Sequence, residues 1–389
     1  MSIAKIDSVG SIEDLRRAAE KRLPKIFYDY ADSGAGTEST YKANEAAFSQ
    51  IKLRQKVGVN VEARKLSSQI LGVESKLPVV LSPVGLLGMQ HGDGEILAAQ
   101  AAEEFGVPFT LSTMSICSIE EVKAKVKNPF WFQLYVMRDR EFLARLLDRA
   151  EKAGCPTLVL TMDLPVMGVR PKDVNNGLAV PPRFSVCTAA NLLRHYGWWR
   201  SIVETSRRSF GNLKGEIKNI SDPRSLAAWT AEQFDPTVTW ETVKQIRDKW
   251  KGKLIVKGIM NADDAEQAVN AGADGVLVSN HGGRQLDGTI ASLAALPEVV
   301  KAVGDKTEVY LDGGVRTGVD ILRAKALGAK AVFVGRAYTY GLGAYGKDGV
   351  TKALSILQTE LDNALALCGK TDVNDVNTSI FYDGTYPTA

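Results

Sequence analysis

A histidine and an arginine lie three residues apart in a polar segment that directly follows an apolar one. The apolar residues Val276-Leu277-Val278 lead into Ser279-Asn280-His281-Gly282-Gly283-Arg284. Imidazole exchanges a proton near neutral pH, whereas a guanidinium stays charged and binds a carboxylate through two hydrogen bonds. The chain contains only three histidines. This spacing predicts removal of a proton or hydride next to a carboxylate; the alternative is a turn whose histidine only caps or packs.

Eight short apolar stretches alternate with amphipathic segments, which is the pattern of repeated β–α units. The predicted strands are Leu77–Leu81, Pro108–Ser112, Phe130–Tyr135, Thr157–Asp163, Lys253–Lys257, Gly275–Ser279, Glu308–Asp312 and Ala331–Gly335. Predicted helices include Gly94–Phe105, Arg140–Ala153, Ala262–Ala271 and Val319–Leu327. A doubly wound sheet lacks its G-x-G-x-x-G turn after the first strand. We therefore predict an α/β protein with a (β/α)8 TIM barrel and an N-terminal helical extension.

Polar side chains occur at the carboxyl ends of the predicted strands, where barrels of this type place their chemistry. Those that close the third to fifth strands or follow the sixth are Gln133, Tyr135, Thr161, Asp163, Lys257, His281 and Arg284. The seventh strand leads into Asp312-Gly313-Gly314-Val315-Arg316, and the eighth into Gly335-Arg336. Because glycines expose backbone N–H groups and arginine balances negative charge, these two loops predict a phosphate site. Tight turns alone are the other explanation of the glycines.

The composition is that of a globular protein, with 45% hydrophobic and 24% charged residues among 389. The formal net charge of +3, with acids and bases interspersed, excludes an electrostatic footprint for nucleic acid, so we expect no such partner. The four cysteines show neither metal-binding pairs nor a disulfide pattern, so we expect no metal and a reducing, cytoplasmic compartment. We also expect neither a cleaved secretion signal nor a membrane span.

Four sequence stretches together resemble one known family. They are Tyr28–Tyr30, Phe132–Tyr135, Ser279–Gln285 and Leu311–Arg316. In order and spacing they are similar to the FMN-dependent L-2-hydroxy acid dehydrogenases and oxidases, from about Leu23 to near Cys368. Within that family, Leu111–Cys117 and Gly283–Gly288 are most similar to the quinone-linked L-lactate dehydrogenases. The resemblance implies FMN-dependent oxidation of a small L-2-hydroxy acid, L-lactate to pyruvate, with electrons passed to a quinone or similar acceptor. An oxidase that uses O2 and gives hydrogen peroxide is the near alternative.

The resemblance assigns the acid–base roles. It implies that His281 is the base at the substrate α-carbon and that Asp163 holds its imidazole and stabilises the protonated form. An imidazole with a pKa of about 6.5 is suited to this work, and a buried carboxylate favours its charged form. Tyr135 would contact the substrate hydroxyl or the developing carbonyl.

The resemblance also implies how the substrate is bound. Arg284 and Arg170 would bind its carboxylate, and Tyr30 would donate a further hydrogen bond. Met114 stands where glycolate oxidase has a tryptophan, so a side chain larger than that of glycolate should fit.

The FMN contacts are likewise implied by the resemblance. Lys257 would lie near flavin N1 and stabilise the reduced ring, while Asp312 would bind the ribityl chain. The phosphate contacts would come from Gly314, Arg316, Gly335 and Arg336, with Gly313 among the other cofactor contacts. The remaining contacts would come from Pro83, Val84, Gly85, Ser112, Gln133, Thr161 and Ser279. Three alternatives stay open: a buried Lys257–Asp312 ion pair without a ligand, a sugar-phosphate barrel with Lys257 as Schiff base, and a barrel without catalysis.

About ninety residues separate the fourth and fifth strands, far more than a β–α connection requires, so we expect an insertion at about residues 175–240 of a single 1–389 domain. Between Ala189 and Lys218, six basic and two acidic residues give a local net charge of +4. Apolar side chains recur there at helical spacing, namely Leu192, Tyr196, Trp199 and Val203, and they are joined by Leu193, Trp198 and Ile202. Such a face indicates a helix in a membrane interface and resembles the membrane-associating loop of the quinone-linked members.

The alternative for this insertion is an active-site lid or a subunit contact, because both use the same amphipathic pattern. We therefore treat peripheral attachment to the inner face of the cell membrane as a hypothesis. The family resemblance suggests a homotetramer.

Overall fold

The computed structural model describes residues 5–178, 186–214 and 233–389. The strands of these residues form a small hairpin and one eight-stranded parallel sheet. They are β1 (Ser68–Ile70), β2 (Val73–Ser75), β3 (Val79–Leu81), β4 (Thr110–Ser112), β5 (Trp131–Tyr135), β6 (Thr157–Thr161), β7 (Lys253–Ile259), β8 (Gly275–Val278), β9 (Glu308–Asp312) and β10 (Val332–Val334). Each barrel strand falls on one of the eight predicted apolar stretches, and β7 continues past the predicted end at Lys257 to Ile259.

The eight-stranded sheet closes on itself. Its strand order is β3-β10-β9-β8-β7-β6-β5-β4, with every neighbouring pair parallel. The first and last strands meet through a parallel bridge between Leu81 and Phe109, where the Leu81 N–H donates to the Pro108 carbonyl at 2.9 Å. Closure brings all eight carboxyl ends to one face. The predicted (β/α)8 barrel is therefore confirmed.

Helices surround this barrel in the described residues. They are α1 (Ile12–Arg22), α2 (Lys25–Ala31), α3 (Ser39–Gln50), α4 (Leu87–Gln90), α5 (Gly94–Phe105), α6 (Ile119–Lys123), α7 (Arg140–Lys152), α8 (Pro171–Asn175), α9 (Val186–Arg194), α10 (Tyr196–Val203), α11 (Trp240–Lys249), α12 (Ala262–Asn270), α13 (Ser292–Val303), α14 (Gly318–Ala326), α15 (Arg336–Tyr345) and α16 (Lys347–Leu367). The four helices predicted between strands, α5, α7, α12 and α14, begin and end within one residue of the expected bounds. The starts of α7, α12 and α14 are set by side-chain caps, such as Asp139 accepting from the Phe142 N–H.

Alternate residues of the barrel strands fill its interior. This interior cluster is Val80, Trp131, Val159, Ile255, Leu277, Tyr310, Ala331 and Phe333, joined by Ile70 from the hairpin. The intervening residues of the strands, such as Val79 and Leu81, face outward and pack in the larger core with the helices. The hairpin meets the amino-terminal end of β9, where the Leu71 N–H donates to Glu308 Oε2 at 3.0 Å. The barrel is thus filled and has an open face only at its carboxyl end.

The N-terminal extension, α1 to α3, is attached to that open face. The buried Asp32 carboxylate accepts hydrogen bonds from the hydroxyls of Tyr28, Tyr41 and Tyr340 and from the Arg16 guanidinium. Burial raises the pKa of Asp32, but these donors outweigh it and lower the pKa to about 2. Asp32 is therefore ionised at neutral pH and fixes the end of α2 against α15. This contact carries the neighbouring Tyr30 to the mouth of the barrel.

The insertion contributes α9 and α10, and their apolar residues divide between two faces. Trp198 and Ile202 are buried, whereas Leu193, Tyr196 and Val203 are exposed. The sequence pattern predicted one continuous interfacial face, and that detail is wrong because part of it packs on the protein. Residues 215–218 of the predicted basic segment lie outside the described residues. Of the helices that the structure describes, none has the length and apolar content to cross a membrane.

Candidate active site

A cavity of about 720 Å³ opens at the carboxyl ends of the barrel strands. Of the predicted site residues, all except Asp163, Gln133 and Ser279 line it. Its size is in the range of cofactor and substrate sites. The charged side chains of its lining are Arg170, Arg208, Lys214, Lys257, Arg284, Arg316, Arg336, Asp173 and Asp312. This excess of positive charge favours an anionic ligand.

The three predicted residues that do not line the cavity lie directly behind its wall. Gln133 accepts from the Ser112 hydroxyl at 3.1 Å and donates to Thr161 Oγ1 at 3.0 Å. Ser279 donates its hydroxyl to Asp312 Oδ2 at 3.1 Å. Sequence reasoning placed them at the site, and the structure gives Gln133 and Ser279 contacts that hold lining side chains in position.

His281 and Asp163 form a hydrogen-bonded pair across the mouth, from the ends of β8 and β6. His281 Nδ1 lies 2.7 Å from Asp163 Oδ1. His281 has a left-handed backbone with φ of 59°, which costs conformational energy for a residue with a side chain. The next turn is packed tightly, since a Cβ on Gly283 would lie 2.5 Å from the Tyr41 backbone nitrogen. The contacts of this turn thus hold the imidazole in a conformation that the isolated chain would disfavour.

The charges around this pair favour a neutral imidazole beside an ionised carboxylate. Burial raises the pKa of Asp163, but His281 and Lys257 outweigh it and hold the pKa at about 2. Burial lowers the pKa of His281 below its usual value, Asp163 opposes that shift, and Lys257 and Arg284 add to it. Lys257 is buried, with Nζ 3.2 Å from Asp163 Oδ2 and 3.9 Å from Asp312 Oδ2. The alternative of a Lys257–Asp312 ion pair is therefore secondary to the pairing of Lys257 with Asp163.

Two guanidinium groups and Tyr30 are grouped on one side of the imidazole. The Arg284 and Arg170 guanidinium carbons lie 4.9 and 6.0 Å from the Tyr30 ring centre. Arg284 Nη1 donates to the backbone carbonyls of Tyr30 and Ser33 at 2.6 and 3.1 Å. Burial and the nearby Arg170 lower the pKa of Arg284 to about 10, so it remains charged at neutral pH. Such a pair of cations beside a tyrosine is suited to binding a carboxylate.

Tyr135 lies between the imidazole and a residue of the insertion. Its ring stacks near His281 at 6.5 Å and meets the Phe234 ring edge-on at 5.4 Å. Burial raises the pKa of the Tyr135 phenol, and Asp163 adds to that shift, so the hydroxyl stays protonated and can donate. Gly85 lines the same part of the cavity, and a Cβ there would lie 3.3 Å from the Tyr30 hydroxyl.

The predicted phosphate end of the cavity contains two arginines with different contacts. Arg336 donates to the carbonyls of Ala31, Ser33 and Gly282 at 2.9, 2.7 and 3.0 Å. Arg316 donates to Glu45 Oε1 at 2.8 Å. The glycines of this end have a packing function too, because a Cβ on Gly314 would lie 2.1 Å from the Asn44 carbonyl oxygen of α3. Both explanations of the glycines, turns and anion binding, therefore remain compatible with this geometry.

Sequence reasoning missed a second set of lining residues. Phe27 and Met89 come from α2 and α4, and Arg208, Phe210, Leu213, Lys214 and Phe234 come from the insertion. The length of the insertion indicated that it has a function, and its place after the fourth barrel strand puts it next to the mouth of the barrel. Which of its residues reach the cavity depends on contacts between segments that are far apart in the sequence, such as the one between Asn212 and Ser115, and no local pattern carries that information.

The comparisons with known proteins identify the family. Residues 19–383 match the model of the FMN-dependent dehydrogenases, and the chain belongs to this family. It is 45% identical over 372 residues to an L-lactate dehydrogenase of Caulobacter vibrioides (strain NA1000 / CB15N), covering 96% of this chain and 97% of that protein. It is 41% identical over 375 residues to an L-lactate dehydrogenase of Ectopseudomonas mendocina (strain ymp), covering 96% and 98%.

A solved structure agrees with this assignment. The crystal structure of the monotopic membrane protein (S)-mandelate dehydrogenase superposes with a TM-score of 0.92 at 37% identity, covering 97% of this chain and all of that one. FMN is the cofactor of the family, and the predicted cofactor is thereby confirmed. The cavity fits it, since Arg316 and Arg336 supply the positive charge that a flavin phosphate needs and the buried Lys257 supplies positive charge at the strand ends. Membership of this FMN-dependent family excludes both the sugar-phosphate barrel with Lys257 as Schiff base and the barrel without catalysis.

Proposed function

We propose that this enzyme oxidises L-lactate to pyruvate. The observation that carries the proposal is the His281–Asp163 pair, 2.7 Å apart, beside Arg284, Arg170 and Tyr30 in one cavity. That arrangement pairs a neutral base with a carboxylate-binding group. The names of the relatives, L-lactate dehydrogenases at 41% and 45% identity, support lactate as the substrate.

His281 acts as the base. Because Nδ1 is bonded to Asp163, Nε2 is the nitrogen that can accept a proton from the substrate. The lowered pKa of His281 keeps it neutral near pH 7. Asp163, with a pKa of about 2, stays ionised and stabilises the imidazolium that forms.

Arg284 and Arg170 bind the substrate carboxylate, and Tyr30 donates to it. Arg284 is held by backbone carbonyls through Nη1, and Arg170 Nε lies 2.7 Å from Asp173 Oδ2. Fixed donors lose little freedom when substrate binds, which supports orientation as well as affinity. Tyr135 contacts the substrate oxygen that becomes the carbonyl, and Met114 borders the substrate side chain.

FMN would be held along the strand ends by a further set of residues. They are Pro83, Val84, Gly85, Ser112, Gln133, Thr161, Lys257, Ser279, Asp312, Gly313, Gly314, Arg316, Gly335 and Arg336. When bound, FMN supplies the acceptor for the two electrons of the substrate. Lys257 provides positive charge beside it, and Arg316 and Arg336 provide charge for the phosphate.

The primary test follows the flavin absorbance of the purified protein without any acceptor. L-lactate should bleach it, D-lactate should not, and pyruvate should form in the same amount as the flavin that is reduced. A yellow protein that no 2-hydroxy acid bleaches would overturn the proposal.

For the oxidative half of the cycle, we propose a quinone or similar acceptor. The L-lactate dehydrogenase names of the relatives support this choice over an oxidase. With L-lactate as donor, the rate of quinone reduction should exceed the rate of hydrogen peroxide formation in air. Stoichiometric hydrogen peroxide would instead identify an oxidase.

We also propose peripheral attachment to the cytoplasmic face of the membrane through α9 and α10. The exposed Leu193, Tyr196 and Val203 lie on helices that also carry Arg194 and Arg200. The monotopic membrane protein among the structural neighbours supports this. Sedimentation with anionic liposomes tests this attachment. A protein that does not sediment with the liposomes at either low or high salt concentration would contradict it.

A homotetramer completes the proposal. Val166, Val169 and Leu286 are exposed side chains near the mouth, at 65%, 72% and 72% of their full exposure. Gln285 joins the two segments, since Nε2 donates to the Val166 carbonyl at 2.9 Å. An apolar patch of this kind favours contact with another copy. Sedimentation equilibrium should give four chains, and Val169→Asp should lower that number; a wild-type mass of one chain would contradict it.

A further inference from the structure

One wall of the cavity consists of apolar side chains that the proposed chemistry does not use. We call it the apolar wall; its members are Phe27, Leu86, Met89, Ile116, Phe210 and Leu213. It begins beside the substrate end, because the Leu86 N–H donates to the Met114 carbonyl at 3.1 Å. L-lactate has a single methyl group, so a wall of this extent exceeds what its side chain can cover.

The apolar wall lies directly under α10. The Phe27 ring stacks on Trp198 with centres 5.1 Å apart, and Trp198 Nε1 donates to the Met89 carbonyl at 2.8 Å. Trp198 is only 4% exposed. On the other side of the same helix, Tyr196 and Val203 are 78% and 62% exposed. One short helix therefore separates the wall from an exposed apolar surface.

The segment after α10 forms the other part of the wall and is firmly attached to the barrel. The Gly211 N–H donates to the Ser115 carbonyl at 3.1 Å, and the buried Asn212 amide donates to Ser115 Oγ at 2.9 Å. These bonds attach the segment with Phe210 and Leu213 to the segment that carries Ile116. The wall is thus a formed surface, shared by the barrel and the insertion.

The geometry points to the apolar wall as the binding surface for the isoprenoid tail of a lipid-soluble quinone whose ring reaches the redox centre. This inference rests on the proposed function, since it gives a place to the acceptor proposed there. L-lactate gives up two electrons and two protons to become pyruvate, and the quinone takes up two electrons and two protons to become the quinol. A tail bound under α10 would connect the redox centre with the surface that we propose to face the lipid.

The experiment compares two quinones in detergent solution. One is a dimethoxy-methyl-benzoquinone with two isoprenoid units, and the other is the same ring with a methyl group in place of the tail. Binding to the oxidised holoenzyme is measured by quenching of tryptophan fluorescence, and turnover by quinone reduction with L-lactate. Met89→Gln and Phe210→Ser alter the wall, while Val203→Ser changes an exposed apolar residue of α10 and is the matched control.

Both wall variants should bind the tailed quinone roughly fivefold more weakly, since each apolar contact that is lost costs binding free energy. Their binding of the tail-less ring and their rate of flavin bleaching by L-lactate should stay at the wild-type values, as should every property of Val203→Ser in detergent.

Equal weakening for both quinones would overturn the inference, as would a wild-type enzyme that binds them equally well. A higher KM for 2-hydroxyoctanoate, with no change for the tailed quinone, would show that the wall binds substrate side chains instead. Bleaching of the flavin by L-lactate distinguishes a failure of the proposed function from a failure of the quinone-tail site. If bleaching is absent, the proposed function fails; if bleaching is normal without preference for the tail, only this inference fails.

Discussion

The barrel mouth and the insertion use arginines and aromatic residues in opposite ways. At the mouth, Arg284 and Arg336 each donate to backbone carbonyls of other segments and lie over tyrosine rings. In the insertion, Arg200 of α10 pairs with Glu204, the residue that directly follows this helix, and Tyr196 is exposed. Groups held from several elements have fixed positions, as catalysis requires. Exposed groups keep their freedom and suit attachment to a surface.

The largest effect should come from the mouth. His281→Gln removes the proposed base but retains a polar side chain of similar length. We expect the rate of flavin bleaching by L-lactate to fall roughly 10⁴-fold, in the upper range for loss of a general base. The FMN content should remain normal. The control is His195→Gln, because His195 precedes α10 and lies outside the cavity lining. A His281 variant that bleaches at the wild-type rate would exclude it as the base.

The pH dependence of kcat/KM sharpens this assignment. The base must be neutral, and burial lowers its pKa, so efficiency should decline with falling pH only below the ordinary histidine pKa of about 6.5. Asp163 raises the pKa of His281, so in Asp163→Asn the acidic limb should move to still lower pH. The same variant should lose roughly 10²- to 10³-fold in rate, because the imidazolium loses its partner. An acidic limb that moves upward would contradict the pairing.

Substitutions on the two faces of α10 test the boundary between the barrel mouth and the proposed membrane-attachment surface. Trp198 belongs to α10 and is buried against Phe27 of α2. Trp198→Ala should therefore lower the free energy of unfolding, measured in urea, by about 3 kcal/mol. Replacing Leu193, Tyr196 and Val203 together by serine should leave that free energy nearly unchanged and abolish liposome binding. If the triple variant unfolds earlier and still binds liposomes, the division of α10 into two faces is wrong.

Much of the barrel could be predicted from the sequence, because its strands are short apolar stretches with polar residues at one end. The site could be predicted to the extent that its residues lie at or near the carboxyl ends of those strands, as Lys257 and His281 do. Trp198 shows what a sequence pattern cannot give. Its helical spacing was correct, but whether a lipid surface or Phe27 covers it depends on packing between segments about 170 residues apart.

Arg284→Lys tests whether the fixed geometry of the mouth matters beyond its charge. Lysine keeps the positive charge but has no planar group to bind a carboxylate through two bonds while donating to Tyr30 and Ser33. The KM for L-lactate should rise roughly 10- to 100-fold, the cost of one or two charged hydrogen bonds. The matched change Arg208→Lys, in the insertion, should leave KM within about twofold. Equal effects would mean that the two arginines share the substrate.

The smallest effect is expected on the free energy of unfolding, for two arginines of the insertion that have different partners. Arg207 joins it to the barrel, with Nη1 3.0 Å from Asp93 Oδ1 and Nε 2.9 Å from Glu121 Oε1. Arg200 pairs with Glu204, four residues further along the chain. Arg207→Gln should lower the free energy of unfolding by about 1 kcal/mol, because two partly buried pairs between segments are lost. Arg200→Gln should give no measurable change in the urea midpoint. If the two variants unfold alike, the insertion is held to the barrel by its apolar contacts, and Trp198 with Phe27 is then the contact that joins the two regions.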